Sequence, residues 1–274
     1  MPFADLSVSR RLEHAEGRAG ADFAEARRLS SPDSGAEWIE VAGAYAVFDG
    51  VDSPVTQTFG LGVFEELRAP TLDVIEHFFR DRRAPVMHEV SPFAGVSALD
   101  LLSKRGYRPI ELSTVLYRTV EKPAHDGYTN IAVRVIGSEE ASLWAQVSAR
   151  GWSHDHPELL DFLLNFGVIA SSRTNSVCFL SEIDGVPGSA GVLCIDNGVA
   201  LFGGAATVPE LRNRGLQAAL LEARMRYAFE NGCDLAMMVT EVGSKSQRNA
   251  ERKGFHIAYT RTKWQLFDAA DQAP

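Results

Sequence analysis

Apolar residues in the second half of the chain recur first at strand spacing and then at helix spacing. Three apolar or alternating runs are separated by Asp184-Gly185 and Asn197-Gly198, dipeptides that favour hairpin turns because they tolerate positive φ. The predicted strands are 176–182, 190–195, 199–207, 235–240 and 257–267, and the predicted helices are 138–150, 157–165, 215–231 and one that stops at Gly254. This order predicts an α+β domain with a mixed, mostly antiparallel twisted sheet flanked by helices.

The first half of the chain ends with the same order of elements as the second. In each half a helix that ends at a glycine precedes a strand. These glycines are Gly106 and Gly254, so the two halves are offset by 254 − 106 = 148 residues. The same offset aligns 72–79 with 220–227, and 38–48 with 186–196. We therefore expect two tandem lobes, at 1–120 and 129–274, joined by a linker at 121–128. The alternative is an α/β chain whose periodicities coincide.

Composition narrows the class of protein. Of 274 residues, 45% are hydrophobic and 23% are charged, and the formal net charge is -9, so the chain is globular and lacks the basic tract that nucleic acids require. No apolar run reaches the roughly 18 residues that span a membrane, and the first residues do not resemble a signal peptide. The three cysteines have no metal-binding or disulfide spacing. We expect a cytoplasmic protein without a metal site.

A turn rich in hydrogen-bond donors joins the strand 199–207 to the helix 215–231. It contains Arg212, Arg214 and Gly215 directly before the helix. The first turn of a helix has unpaired N–H groups, a glycine lets backbone approach a ligand closely, and arginine stays charged near neutral pH. The pattern predicts a binding site for an anion such as a pyrophosphate. The alternative is an ordinary strand-to-helix turn with solvated arginines.

The run Arg212-Asn213-Arg214-Gly215-Leu216-Gln217 resembles the loop Gln/Arg-x-x-Gly-x-Gly/Ala of the GNAT superfamily of acyl-CoA-dependent N-acetyltransferases. Gln217 departs from the small residue at the last position. The resemblance extends over residues 130–267, whereas residues 1–120 are similar only in their closing elements. The whole chain therefore resembles a tandem GNAT arrangement, as in mycothiol synthase-like proteins, with a degenerate N-terminal lobe.

The resemblance implies acetyl-CoA as a co-substrate bound by the second lobe. The implied cofactor-binding residues are Thr207, Val208, Arg212, Asn213, Arg214, Gly215, Leu216, Gln217 and Asn249. The pyrophosphate would rest on 212–217 and the pantetheine arm would pair with the strand end at 207–208. A backbone amide between 206 and 208 would polarise the thioester carbonyl. Asn249 would contact the pantetheine or cap its own helix.

The first lobe lacks such a loop. Subtracting 148 from 212–215 gives Phe64, Glu65, Glu66 and Leu67. Two carboxylates there would repel a pyrophosphate, since like charges a few ångströms apart repel even in water. We therefore expect this lobe to be a structural or substrate-shaping partner.

The proton-transfer residues are less clearly marked. The tyrosine that the family often places four residues before the closing glycine corresponds here to Ala250. Glu241, at the end of a predicted strand, is the candidate base, and the alternative is a solvated strand-end carboxylate. Tyr259 is the candidate acid, and Tyr227 is the other tyrosine considered for this role. The alternative for both is core or strand packing.

A cluster of polar and aromatic residues lies between the first two helices of the second half, where the family shapes its acceptor site. We expect Trp152, His154 and Asp155 to line that site, since an aromatic face beside a carboxylate attracts an ammonium group. One alternative is a plain helix-capping loop. Another is a metal bound by His154 and His156, although no further ligand cluster accompanies them.

Together these features predict an enzyme, an N-acetyltransferase in which a primary amine of a small molecule attacks the thioester directly through a tetrahedral intermediate. The alternatives are a non-catalytic acyl-CoA-binding or sensing protein and an aminoacyl- or longer-acyl transferase on the same doubled fold. The expected partner is a small-molecule amine rather than a nucleic acid or a membrane, and a homodimer is left open.

Overall fold

The computed structural model describes residues 3–122, 130–154 and 156–267. Over these ranges the chain is a mixed α+β protein, as predicted. Its helices are α1 (Leu6–Ser30), α2 (Ala69–Arg80), α3 (Val96–Lys104), α4 (Ala141–Trp152), α5 (Leu160–Ser171), α6 (Leu216–Glu230) and α7 (Lys245–Arg252). Its strands are β1 (Glu37–Val41), β2 (Ala44–Phe48), β3 (Gln57–Phe59), β4 (Met87–Val90), β5 (Tyr107–Thr119), β6 (Ile131–Val135), β7 (Ser176–Ile183), β8 (Val186–Asp196), β9 (Val199–Thr207), β10 (Leu235–Glu241) and β11 (His256–Leu266).

The chain divides into two compact units. The first unit contains Met1–Arg118 and Met237–Pro274, and the second contains Thr119–Ala236. The end of the chain thus belongs with its beginning, whereas the repeat in the sequence assigns it to the second lobe. Lobe boundaries defined by the repeat stay a prediction, and most of the predicted linker lies outside the described residues.

The sheet of the first unit is completed by the last strand of the chain. Its strand order is β1-β2-β3-β4-β11-β5-β10. β11 is antiparallel to both neighbours, so that Trp264 lies opposite His88 on β4 and Pro109 on β5. The run 38–48, which the repeat aligns with 186–196, is a hairpin of β1 and β2 that turns at Ala42-Gly43, both with positive φ, whereas 186–196 is the single strand β8.

Helices cover both faces of this sheet. Leu72, Ile75 and Phe79 lie three and four residues apart on α2 and are fully buried, as the periodicity of 72–79 predicts. On the other face, α1 packs closely because it carries glycines: a Cβ on Gly17 would lie 2.6 Å from the ring of Tyr45. Helix α1 is absent from the sequence expectations, since its buried face consists largely of alanine and glycine.

The second unit contains the antiparallel order β9-β8-β7-β6. Both predicted hairpin turns are present: Asp184, Gly185, Asn197 and Gly198 have φ of 52°, 77°, 45° and 79°. Helix α5 follows a short 3-10 turn and continues to Ser171, beyond the predicted end at 165, because Ile169 and Ala170 extend its buried face. No helix among the described residues is long and apolar enough to cross a membrane.

Candidate functional site

The turn between β9 and α6 contains residues with positive φ directly before the helix. Asn213 has φ of 61°, and Gly215, the residue before α6, has φ of 91°. No side chain among the described residues caps α6, so the first N–H groups of the helix are left without a side-chain acceptor. A helix N-terminus of this kind carries a positive partial charge and attracts anions.

The two arginines of the turn have different surroundings. Arg212 donates from Nε to the carbonyl oxygen of Thr207 at 3.3 Å and from Nη2 to that of Gly151 at 3.0 Å. It therefore ties the turn to the last residues of α4. Arg214 is about half exposed and lies 4.0 Å from the carboxylate of Asp184, a separation at which water competes strongly. Both arginines are exposed, but the guanidinium of Arg212 is engaged by two carbonyl groups, whereas that of Arg214 faces solvent.

Gln217, at the position where the loop pattern has a small residue, joins α6 to the sheet. Its Oε1 lies 3.3 Å from both Ser189 Oγ and Thr207 Oγ1. The buried Ser189 hydroxyl donates in turn to the carbonyl oxygen of Ala206 at 2.7 Å. The side chain of Gln217 therefore links the first turn of α6 to the ends of β8 and β9.

The end of β9 supplies one backbone amide to the candidate site. Val208 N donates to the carbonyl oxygen of Gly188 at 2.9 Å, so the amide of Val208, one of the predicted thioester donors, is already engaged. In an antiparallel pair neighbouring N–H groups point to opposite edges, so the Thr207 amide points away from β8.

Gly151, a residue that the sequence analysis does not single out, lies beside this amide. A Cβ on Gly151 would lie 3.0 Å from Thr207 N and 2.6 Å from Ala206 Cβ. A glycine in the last turn of an otherwise helical run, next to Trp152, is the signal that would have identified it.

Solved structures are similar to this chain over most of its length. A GCN5-related N-acetyltransferase from Kribbella flavida is 17% identical, with a TM-score of 0.64, covering 92% of this chain and 98% of that chain. A tandem GNAT protein from the clavulanic acid biosynthesis pathway is 12% identical, with a TM-score of 0.57, covering 81% of this chain and 78% of that chain. The chain has the GNAT fold. No family model and no curated protein matches it.

The predicted fold class, a tandem GNAT arrangement, is therefore confirmed. The GNAT fold was recognisable from the donor-rich turn at 212–217 and the elements after it, because the residues of that pattern are adjacent in the sequence. At these low identities the likeness establishes the GNAT fold alone.

Tyr259, the candidate acid, lies on β11 in the first unit and is 6% exposed. Its hydroxyl donates to Glu13 Oε1 at 2.7 Å, and its ring meets Phe93 edge-on. Burial, followed by the charge of Glu13, raises the pKa of Tyr259 well above its ordinary value. These surroundings correspond to the alternative of a packed strand residue rather than a proton donor.

Glu241 and Asn249 are both exposed, Glu241 at the carboxyl end of β10 and Asn249 on α7. The predicted capping role of Asn249 is wrong, because Ser244 caps α7 by accepting from the N–H of Gln247 at 3.1 Å. Asn249 is therefore left with the pantetheine contact as its predicted role. Ala250, where the GNAT family often has tyrosine, is buried.

The predicted acceptor residues begin at Trp152, the last residue of α4. Trp152 is 54% exposed and His154 is also exposed, whereas Asp155 lies outside the described residues. His156 pairs with Glu158 at 3.1 Å. Among the described residues of this GNAT fold, no group of three or more His, Cys, Asp or Glu is placed to hold a metal ion.

The counterpart of the donor-rich turn in the first unit is packed differently. Phe64 fills the space above Gly43, where a Cβ would lie 2.6 Å from Phe64 Cβ. Arg10 donates to the carbonyl oxygens of Val63 and Phe64, at 3.0 and 3.1 Å. The next two residues, Glu65 and Glu66, are exposed carboxylates.

Proposed function

We propose that the chain is an acyl-CoA-dependent N-acetyltransferase that moves an acetyl group from acetyl-CoA to the primary amine of a small molecule. The observation that carries the proposal is the uncapped N-terminus of α6, preceded by Gly215 in a left-handed conformation and by the solvent-facing charge of Arg214. The GNAT fold supports it, because the loop pattern of that family resembles 212–217 and implies that this turn holds the cofactor.

In this proposal the residues of the turn divide their tasks. Arg214 and the backbone of 213–217 bind the pyrophosphate, and Arg212 holds the turn in place through two carbonyl groups. The Thr207 amide donates to the thioester oxygen as negative charge develops on it. The amine nitrogen forms a bond to the acyl carbon, the carbon–sulfur bond breaks, and coenzyme A leaves as the thiolate. Glu241 accepts the proton that the amine loses.

The first unit takes no cofactor in this proposal. Phe64 occupies the space beside Gly43, and Glu65 and Glu66 would repel a pyrophosphate. Trp152, His154 and Asp155 are proposed to line the acceptor site and Asn249 to contact the pantetheine. A small-molecule amine remains the proposed partner.

Calorimetric titration with coenzyme A tests the pyrophosphate site directly. We expect Arg214→Glu to weaken coenzyme A binding at least tenfold, since reversing one charge beside a phosphate changes the binding free energy by about 1.4 kcal/mol or more. Arg28→Glu, the same charge change at an exposed position on α1, is the matched control and should bind like wild type. Equal affinity of wild type and Arg214→Glu would refute the site.

A non-catalytic acyl-CoA-binding protein is the second candidate, favoured by the alanine at residue 250 and the buried hydroxyl of Tyr259. Incubation with acetyl-CoA and a panel of amines distinguishes the two, because only the enzyme releases free thiol. Mass spectrometry of the cofactor that co-purifies tests for a longer or aminoacyl group, which would favour the other transferase alternative.

A further inference from the structure

Arg224 on α6 is a buried arginine that the proposed reaction does not use directly. It is 2% exposed, and its Nη1 donates to the carbonyl oxygens of Val192 and Gly203 at 3.1 and 3.3 Å. Its Nε lies 3.4 Å from the carbonyl oxygen of Leu220, and its guanidinium lies over the ring of Phe202. Burial lowers the pKa of Arg224 to about 10, so it stays charged at neutral pH.

The charge of this guanidinium is balanced by carbonyl dipoles rather than by an acid. Within the described part of the chain, no carboxylate forms an ion pair with Arg224. A buried charge without a counter-ion is costly, and an apolar side chain would fill the same space more favourably. The arrangement therefore points to a task that requires the donors of arginine.

The two carbonyl groups that Arg224 joins lie at an irregularity of the sheet. Ala190 pairs with Ala206, and the next pair is Val192 with Gly203, so two steps along β8 correspond to three along β9. Gly204, with φ of 54°, is within the longer stretch. This is a β-bulge, which bends a strand and changes the direction of the residues that follow it.

Space for the guanidinium comes from a glycine on β8. A Cβ on Gly191 would lie 3.0 Å from both Cζ and Nη1 of Arg224. The planar guanidinium reaches β8 and β9 together, which the point charge of a lysine does less well. Gly191, Gly204 and Arg224 thus act together to shape the bulge.

We propose that Arg224 is a positioning residue that holds the bulge of β9 and thereby directs the Thr207 amide at the cofactor site. The inference rests on the proposed N-acetyltransferase function. Residues 205–207 lie between the bulge and the turn that carries Arg214, so the bulge sets the path of the last residues of β9.

The test compares Arg224→Met and Arg224→Lys with Met225→Ala, a control that removes a neighbouring buried side chain of α6 and leaves the bulge contacts in place. We expect Arg224→Met to lower kcat at least tenfold while the Kd for coenzyme A stays within threefold, and Arg224→Lys to recover part of kcat. An unchanged kcat in folded Arg224→Met would overturn the proposal, as would an equal loss of kcat in Met225→Ala.

Should Arg224→Met fail to fold, Gly191→Ala replaces it, because the added methyl group displaces the guanidinium by contact. Gly191→Ala is expected to lower kcat in the same way, and a wild-type kcat in this variant would overturn the proposal.

Hydrogen exchange of the free protein separates this inference from the proposed function. Amides of residues 203–207 should exchange at least tenfold faster in Arg224→Met than in wild type, whereas those of α4 should not change. Unchanged exchange at 203–207 overturns the positioning role. Failure of wild type to bind coenzyme A instead refutes the proposed function and leaves the exchange result to decide the role of Arg224.

Discussion

Replacing Arg261 by methionine tests how firmly the last strand of the chain is held in the first unit. The side chain of Arg261 on β11 is 2% exposed and forms ion pairs with Glu13 and Glu16 of α1 and with Glu89 of β4. Its Nε also lies 3.1 Å from Ser113 Oγ on β5. Without this guanidinium, several carboxylates stay behind in a buried position.

The expected loss follows from that arrangement. Removing one partner of a buried ion pair costs about 3–5 kcal/mol, because an uncompensated charge remains. We expect Arg261→Met to lower the free energy of unfolding by this amount in urea titrations followed by circular dichroism. Arg108→Met, at an exposed position on β5, is the matched control and should change it by less than about 1 kcal/mol.

The loss should also depend on pH. Burial raises the pKa of Glu13 above its ordinary value of 4.5, against the lowering effect of Arg261. A carboxyl group with a raised pKa stabilises the fold fully below pH 4.5 and loses that contribution as the pH rises through its pKa in the folded protein. Removing Arg261 raises that pKa further, so the deficit of Arg261→Met should be larger at pH 8 than at pH 5. A loss below 1 kcal/mol, or a deficit that grows on acidification, would refute the reasoning.

Two further predictions concern the site. Gly151→Val should lower kcat/KM at least tenfold, because the added side chain would meet Ala206 and the Thr207 amide. Gln146→Val, at an exposed position of the same helix, is the control and should leave kcat/KM unchanged. Equal kinetics of the two variants would contradict the predicted crowding. Glu241→Gln should lower kcat at least 100-fold, as loss of a general base does, with the Kd for coenzyme A unchanged. Glu251→Gln is its control, and wild-type turnover in Glu241→Gln would exclude the base role.

The division into two units limits which parts of the chain can be studied separately. β11 pairs with both β4 and β5, so removing the last strand would leave β4 and β5 without the strand that joins them. The buried cluster around Arg261 would lose its cation at the same time. Experiments on the first unit therefore require the last strand of the chain.

The sequence by itself determined the features that depend on neighbouring residues. Asp184-Gly185 and Asn197-Gly198 form hairpin turns, and Gly106 and Gly254 have the positive φ of helix stops. The donor-rich turn before α6 was likewise recognisable, because Arg212, Arg214 and Gly215 directly precede a helical run, while its role as an anion site stays a prediction. In each case the recognisable pattern lies in a few neighbouring residues, so local propensity is enough to predict it, even though distant contacts with Gly151 and Ser189 also hold the donor-rich turn.

Tertiary structure decided the rest. Periodicity identifies β11 as a strand but does not select its neighbours, because strand pairing depends on residues more than a hundred positions away. The same limit applies to Tyr259, whose hydroxyl is bonded to Glu13 at the other end of the chain, and to Arg224, whose partners lie on two strands. The roles of such side chains follow from burial and long-range contacts, which the order of residues along the chain does not display.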